Sequence, residues 1–167
     1  IIKPGVPVVV APQTDEALAV FRRVAAERHA PLFEVQTRMS WRPAEVDPEG
    51  QSFHVSRHDG ELDLWTPLLG LHQLENACTA IAVADTLAAK GFDVHDEDIR
   101  EGLRAVRWPA RLQVLSREGP LVVVDGAHNP YSIARIVEAV RECFEFTGVV
   151  SLFGALAGHS ATDMVAE

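Results

Sequence analysis

Four consecutive apolar residues, Leu121-Val122-Val123-Val124, run directly into Asp125-Gly126-Ala127-His128-Asn129-Pro130, and few folds accommodate that junction. An unbroken β-branched run predicts a strand covered on both faces. Asn129 as N-cap and Pro130 at the first helical position predict a helix immediately afterwards, with Ile133, Ile136, Val137, Val140 and Phe144 turned inward. Val149 to Phe153 reads as the next strand, and Ser160-Ala161-Thr162-Asp163 as the capping box of a last helix. Strand, helix, strand, helix predicts a parallel α/β sheet. Such sheets hold ligands at the carboxyl ends of their strands, against helix N-termini. Asp125 occupies that place, where a carboxylate accepts from ribose hydroxyls and Gly126 and Ala127 let a ligand approach the backbone. The plainer alternative is a strand-to-helix turn capped by Asn129.

Upstream, the same alternation recurs. Val8 to Val10 between Pro7 and Pro12 predicts a buried strand, and Leu18, Phe21 and Ala25 share one face of a following helix that Thr14 caps. Past Pro31, Leu32 to Val35 reads as a second strand. Residues 36–50 are polar and proline-containing and read as a loop. Residues 52–68 alternate around His58-Asp59-Gly60, which predicts an antiparallel hairpin. Leu74, Ala77, Cys78, Ile81, Ala84 and Ala88 recur at helical spacing and Gly91 supplies a stop. A further helix starts at Asp96, with Ile99, Leu103 and Val106 on its apolar face. Leu112 to Leu115 and Leu121 to Val124 read as strands around Glu118-Gly119-Pro120. Trp108-Pro109 ends the helical stretch, which places a domain boundary there: residues 1–107 and residues 108–167.

Charge narrows the partners. The 167 residues carry 15 basic and 24 acidic side chains, a net −9. Without a basic face, nucleic acid is excluded as a partner, while ATP needs only a few placed cations. No apolar run approaches the roughly 20 residues of a membrane span, and no signal peptide is visible. Cys78 and Cys143 lie among apolar helical positions and read as reduced core thiols of a cytoplasmic protein. The chain opens at Ile1 without a methionine and stops at Glu167 inside a predicted helix, so both ends are expected to be cuts through something longer.

Two more constellations carry potential chemistry. Leu71-His72-Gln73-Leu74-Glu75-Asn76-Ala77 opens a helix, and a side-chain amide there both donates and accepts, which suits the N6/N7 edge of adenine. The alternative is a set of polar first-turn caps. In Trp108-Pro109-Ala110-Arg111, a guanidinium on a stiffened segment can reach a phosphate across a cleft. Otherwise it is a surface arginine beside a tryptophan that plugs a junction.

Taken in order, Gly70-x-His72-Gln73-x-x-Asn76-Ala77, Trp108-Pro109-x-Arg111 and Asp125-Gly126-Ala127-His128-Asn129-Pro130 resemble the Mur ligase superfamily, and within it the folylpolyglutamate synthase and dihydrofolate synthase family. Ile1 to Pro7 resembles that family just after its ATP-binding core. The likeness is strong over residues 1–35 and 68–155 and weak over 36–67. It implies the end of a central ATPase domain (1–107) followed by the start of a Rossmann-like C-terminal α/β domain (108–167). By resemblance, Asn76 meets the adenine, Arg111 the phosphates and Asp125 the ribose side of ATP, while His128 is a catalytic candidate facing the cleft. The resemblance further implies a monomeric, ADP-forming ligase of the cytoplasm that uses ATP and Mg²⁺. It would join L-glutamate to folate or dihydropteroate through an acyl phosphate.

Three departures stand against the pattern. No Gly-x-x-x-x-Gly-Lys-Ser/Thr loop occurs in these residues, so the phosphate cradle and the expected metal ligands are missing and this piece by itself is expected to be inactive. Ala110 replaces a frequent glycine. Gly158-His159-Ser160 stands where the family tends to have an Asp-Lys-Asp-type stretch. The same adenine, arginine and aspartate pattern also suits a ligase of cell-wall precursors, and a non-catalytic nucleotide-binding module is the reading from another class.

Overall fold

The structure, a computed structural model, describes residues 1–154. The chain begins with a parallel β–α–β unit: β1 (Val8–Val10), α1 (Asp15–Glu27) and β2 (Leu32–Glu34), with Val8 opposite Leu32. Leu18 and Ala25, on the predicted face of α1, are buried, whereas Phe21 is only half-buried. Thr14 caps α1 through its backbone carbonyl, which accepts from Leu18; its side chain makes no cap bond.

The predicted loop over residues 36–50 is structured. A single turn, α2 (Val35–Arg38), leads into an eight-residue strand, β3 (Ser40–Asp47), which pairs antiparallel with β4 (Gly50–Arg57). β3 escaped the sequence reading because it is an edge strand. Most of its side chains are exposed, it contains Pro43, and its register slips between Pro43 and Val46, so no clean alternation is visible. The predicted hairpin is present as β4 and β5 (Gly60–Thr66), turning at His58-Asp59.

The main core lies between this three-stranded sheet and α3 (Leu71–Ala88). Phe53 faces Leu64 and Val55 faces Leu62 across the strands, and these pack on Leu74, Ala77, Cys78 and Ile81. Period two on the sheet meets period 3.6 on the helix, which is what makes one apolar layer of both. Gly91 in the left-handed region, at φ 90°, ends the helical stretch. α4 (Asp96–Ala105) follows, its start held by the Asp98 carboxylate, which accepts from the His95 N–H at 2.7 Å. The buried Arg57 guanidinium bonds both Asp85 of α3 and Asp96 of α4, tying sheet to helices.

A second, smaller core begins after Trp108. β6 (Gln113–Ser116) and β7 (Val122–Val124) precede α5 (Pro130–Cys143). As predicted, Asn129 caps α5, its side chain accepting from the Ser132 N–H at 2.8 Å, with Pro130 in the first turn. The predicted parallel sheet is not found among the described residues. β6 and β7 form an antiparallel hairpin, and residues 149–153 do not form a strand. The reason is visible in the burial: Val150 and Leu152 are fully exposed, and among the described residues β6 is the one strand paired with β7, so Leu121 and Val122 stay exposed too. An apolar run is a strand only where a neighbouring strand takes its hydrogen bonds. The predicted helix at Ser160 lies outside the described residues.

Truncating Leu74, fully buried beneath the start of α3, should cost about 2–5 kcal/mol. Denaturant unfolding of Leu74→Ala checks this; a change below about 1 kcal/mol would mean that α3 is not seated on the sheet as described.

Candidate functional site

The junction of the two cores is built from three pieces: the start of α3, the turn 108–112 and the loop 125–129. Asp125 joins two of them. One carboxylate oxygen accepts from the Leu112 N–H and the other from the Ala127 N–H, each at 2.7 Å. Beside them the Gly126 N–H donates to the Ala110 carbonyl at 2.9 Å. Each carboxylate oxygen keeps a second acceptor direction, so Asp125 can still take a ligand hydroxyl.

This clamp holds an unusual turn. Ala110 and Leu112 both adopt positive φ, 55° and 44°. A side chain in that region costs roughly 1–2 kcal/mol per residue, a strain that glycine at position 110 would not carry. The turn aims Arg111 back across the loop. A Cβ added to Gly126 would lie 3.2 Å from the Arg111 Nη1, so a larger residue at position 126 would press on the guanidinium. Arg111 also stacks over Trp108, 5.9 Å from its ring centre. A cleft of about 530 Å³ borders the turn 108–112 on the side of Pro48, Glu49 and Trp65; Asn76, Asp125 and His128 do not line it. Trp65 and Trp108 line it with Arg104, Arg107, Arg111 and Arg117. Only Arg111 of these arginines belongs to a motif; Arg104 comes from α4, Arg107 from the segment after it and Arg117 from the β6–β7 turn, and spacing in the sequence does not gather them.

The start of α3 is fixed by Gln51 of β4, a buried side chain whose amide nitrogen donates to the carbonyls of Leu68 and Gly70 at 2.6 and 2.9 Å. Gly70 sits at φ 98°, and a Cβ there would lie 2.9 Å from both the Ala139 Cβ and the His72 ring. Only glycine leaves room for α5 to approach and for His72 to fold back. The Gln73 amide nitrogen donates to His72 Nε2 at 3.1 Å, and the Gln73 oxygen accepts from the Asn76 Nδ2 at 3.1 Å. Asn76 itself is exposed. Burial pushes the His72 imidazole below its ordinary value. Arg135 and Arg111 act in the same sense, and Asp125 and Glu138 oppose it. His72 therefore lies within electrostatic reach of Asp125 and Arg111, and one bonded chain of side chains links it to Asn76.

His128 is exposed at the loop, its Nδ1 donating to the Gly126 carbonyl at 3.1 Å and its backbone N–H to the Ser132 hydroxyl at 3.0 Å. Among the described residues no group of three or more His, Cys, Asp or Glu could hold a metal ion. No helix among them is long and apolar enough to cross a membrane.

Residues 110–167 match the family model described as Mur ligase, glutamate ligase domain. The chain is 32% identical over 167 residues to a dihydrofolate synthase/folylpolyglutamate synthase of Bacillus subtilis, spanning 99% of this chain and 39% of that protein. It is 36% identical over 146 residues to a folylpolyglutamate synthase of Lacticaseibacillus casei, 86% of this chain and 34% of that one. A solved FPGS–AMPPCP–folate complex is similar at TM-score 0.81 and 35% identity, covering 87% of this chain and 36% of that one. The chain thus spans less than half the length of these relatives.

Because the folded His72 resists protonation, the unfolded chain takes up that proton first on acidification. The stability in question is present above the ordinary imidazole value of 6.5 and is lost as pH falls below it. Unfolding midpoints followed from pH 7.5 to 5 should fall more steeply for the native sequence than for His72→Gln. Parallel curves would show that His72 is not held in a desolvated site.

Proposed function

The chain belongs to the folylpolyglutamate synthase and dihydrofolate synthase family of the Mur ligase superfamily, and from that premise we propose that it supplies one wall of the nucleotide site of an ATP-dependent glutamate ligase. The observation that carries this reading is the Asp125 clamp, which sets Arg111 against Gly126 while His72, and through it Asn76, closes the same junction.

In this proposal Asn76 meets the adenine, Asp125 the ribose and Arg111 the phosphates. Arg104, Arg107 and Arg117 add positive charge along the cleft of a chain whose net charge is −9. Support comes from the fit: an exposed amide, a half-buried carboxylate with acceptor capacity left, and a guanidinium braced on a tryptophan. The contact of His128 with the Gly126 carbonyl supports bracing of the loop in preference to chemistry.

The whole protein would transfer the γ-phosphoryl group of ATP to a substrate carboxylate, giving an acyl phosphate and ADP. The amine of L-glutamate then attacks the acyl carbon; the new C–N bond forms, the C–O bond to phosphate breaks, and the amine proton passes to solvent. Catalysis of this kind rests on positioning and on neutralising phosphate charge. Mg²⁺ would supply part of that neutralisation. The phosphate-gripping loop and the metal ligands are assigned to the part of the protein that this chain does not cover, in keeping with its 39% span of the Bacillus subtilis relative. Folate or dihydropteroate is the proposed carboxylate substrate, supported by relatives of that name along nearly the whole chain, whereas a cell-wall precursor would share only the nucleotide pattern. A division at residue 108 is proposed on the same grounds, supported by the family model's start at residue 110. The cytoplasm is the proposed compartment, supported by the free thiols Cys78 and Cys143, the first pushed up to about 12 by burial.

The test is ATP-dependent phosphate release by the full-length protein with glutamate and either dihydropteroate or tetrahydrofolate. Release should require both glutamate and the pterin, and Asp125→Ala and Arg111→Ala should each lower kcat/KM roughly tenfold to a hundredfold. Turnover without a pterin would overturn the folate assignment, and undiminished variants would overturn the site.

A further inference from the structure

Several arginines of the chain are matched by carboxylates: Arg22 by Glu34, Arg23 by Glu27, Arg57 by Asp85 and Asp96, and Arg135 by Glu138. The cleft beside the turn 108–112 is different. Among the described residues Arg104, Arg107, Arg111 and Arg117 line it against a single acid, Glu49. Arg117 meets that acid at 3.2 Å, and its Nη2 also donates to the Pro48 carbonyl at 2.8 Å. Arg104, Arg107 and Arg111 have no carboxylate partner among the described residues, although the chain carries 24 acidic side chains. Like charges gathered in a concave site focus their field and concentrate anions there. The walls between them are aromatic. Trp65 lies over Gly50, where an added Cβ would strike its ring, and Trp108 carries the Arg111 guanidinium on its face. A volume of about 530 Å³ is that of a small-molecule site. Arg111 belongs to the cleft and to the junction alike, lining the first and approaching Gly126 in the second.

We propose that this cleft is a subsite for a chain of carboxylates, the γ-linked glutamate tail carried by the folate substrate, and that Arg104, Arg107 and Arg117 set the preference for tail length. The proposal rests on the reading of the protein as a folate–glutamate ligase. In that reading the carboxyl to be extended must meet the γ-phosphate held by Arg111. Glutamates added earlier therefore trail away from Arg111, and the cleft opens beside it. A γ-linked tail carries a free carboxylate on every residue and a pair of methylenes between successive amides. Its carboxylates suit the guanidinium forks, which bind them through paired N–H groups, and its methylenes suit the tryptophan walls. A polyphosphate would satisfy the arginines and leave the aromatic walls without a partner.

Two measurements on the full-length protein test this. The first is calorimetric binding of synthetic penta-γ-L-glutamate, with neither pterin nor ATP present. Affinity should fall roughly three- to thirtyfold when Arg104→Gln and Arg107→Gln are combined. It should rise roughly two- to fivefold in Glu49→Gln, which removes the acid of the cleft and whose gain cannot come from misfolding. The second is the ratio of kcat/KM for triglutamyl over monoglutamyl tetrahydrofolate, in which any effect on ATP cancels. The ratio should favour the triglutamate in the native protein, fall in the double variant and rise in Glu49→Gln. Binding and a ratio that are both unchanged in these variants would overturn the subsite. Binding that responds while the ratio does not would overturn its role in tail length. Sodium triphosphate that binds more tightly than the pentaglutamate and displaces it would overturn the carboxylate assignment. If the pentaglutamate binds with the expected responses but no folate of any tail length turns over, the carboxylate subsite stands and the folate-ligase reading fails.

Discussion

The Asp125 carboxylate accepts one backbone N–H from each of two segments, the turn before β6 and the loop after β7. On one side lies a turn with two side-chain-bearing residues at positive φ; on the other, a loop that opens α5. Charge-assisted bonds to a carboxylate are roughly twice as strong as neutral ones, which is what such a turn needs to persist. Arg111 depends on the clamp directly, because it sits between the two strained residues, with Trp108 bracing its guanidinium. Leu112 is carried by the same bond into the second core, where it meets Leu69 and Ala139.

The other wall is anchored differently. α3 is seated by apolar burial against β4 and β5, and only its first turn is set by polar contacts, through Gln51 and Gly70. Glycine at position 70 matters twice, for its backbone angle and for the space it leaves between α5 and His72. A rigid helix start and a clamped turn therefore meet at one place, each held by interactions remote from any ligand. That division is what allows a binding surface to be polar without being loose, since the groups that orient it are themselves buried or bonded. The exposed members, Asn76 and His128, each bond a neighbour whose own position is settled.

Most elements were legible because their apolar residues carry the period of the element. Leu74, Ala77, Cys78 and Ile81 mark α3, and Asn129-Pro130 marks the start of α5. β3 was not, because an edge strand with Pro43 and a register slip buries too little to leave a pattern. Val149 to Phe153 misled for the opposite reason. Its composition is that of a strand, but a strand also needs a partner, and composition cannot say whether one docks. The likeness of the three motifs to one ligase family was readable from residue order, and the chain-long identity to its members agrees.

The sequence by itself determined the α/β alternation, the helix caps and the family, because these rest on local periodicity and on residues at fixed spacing. The tertiary structure decided everything that joins distant segments. Asp125 appeared in sequence as a ligand carboxylate, yet its first task is to hold Leu112, thirteen residues away in the chain. His72 appeared as a cap or a pocket wall; the structure shows it half-buried, bonded to Gln73 and within the field of Arg111, Asp125, Arg135 and Glu138. A side chain's type is written in the sequence. Its protonation, its orientation and the atoms left over for a ligand follow from what packs around it, and that is settled only when the chain has closed on itself.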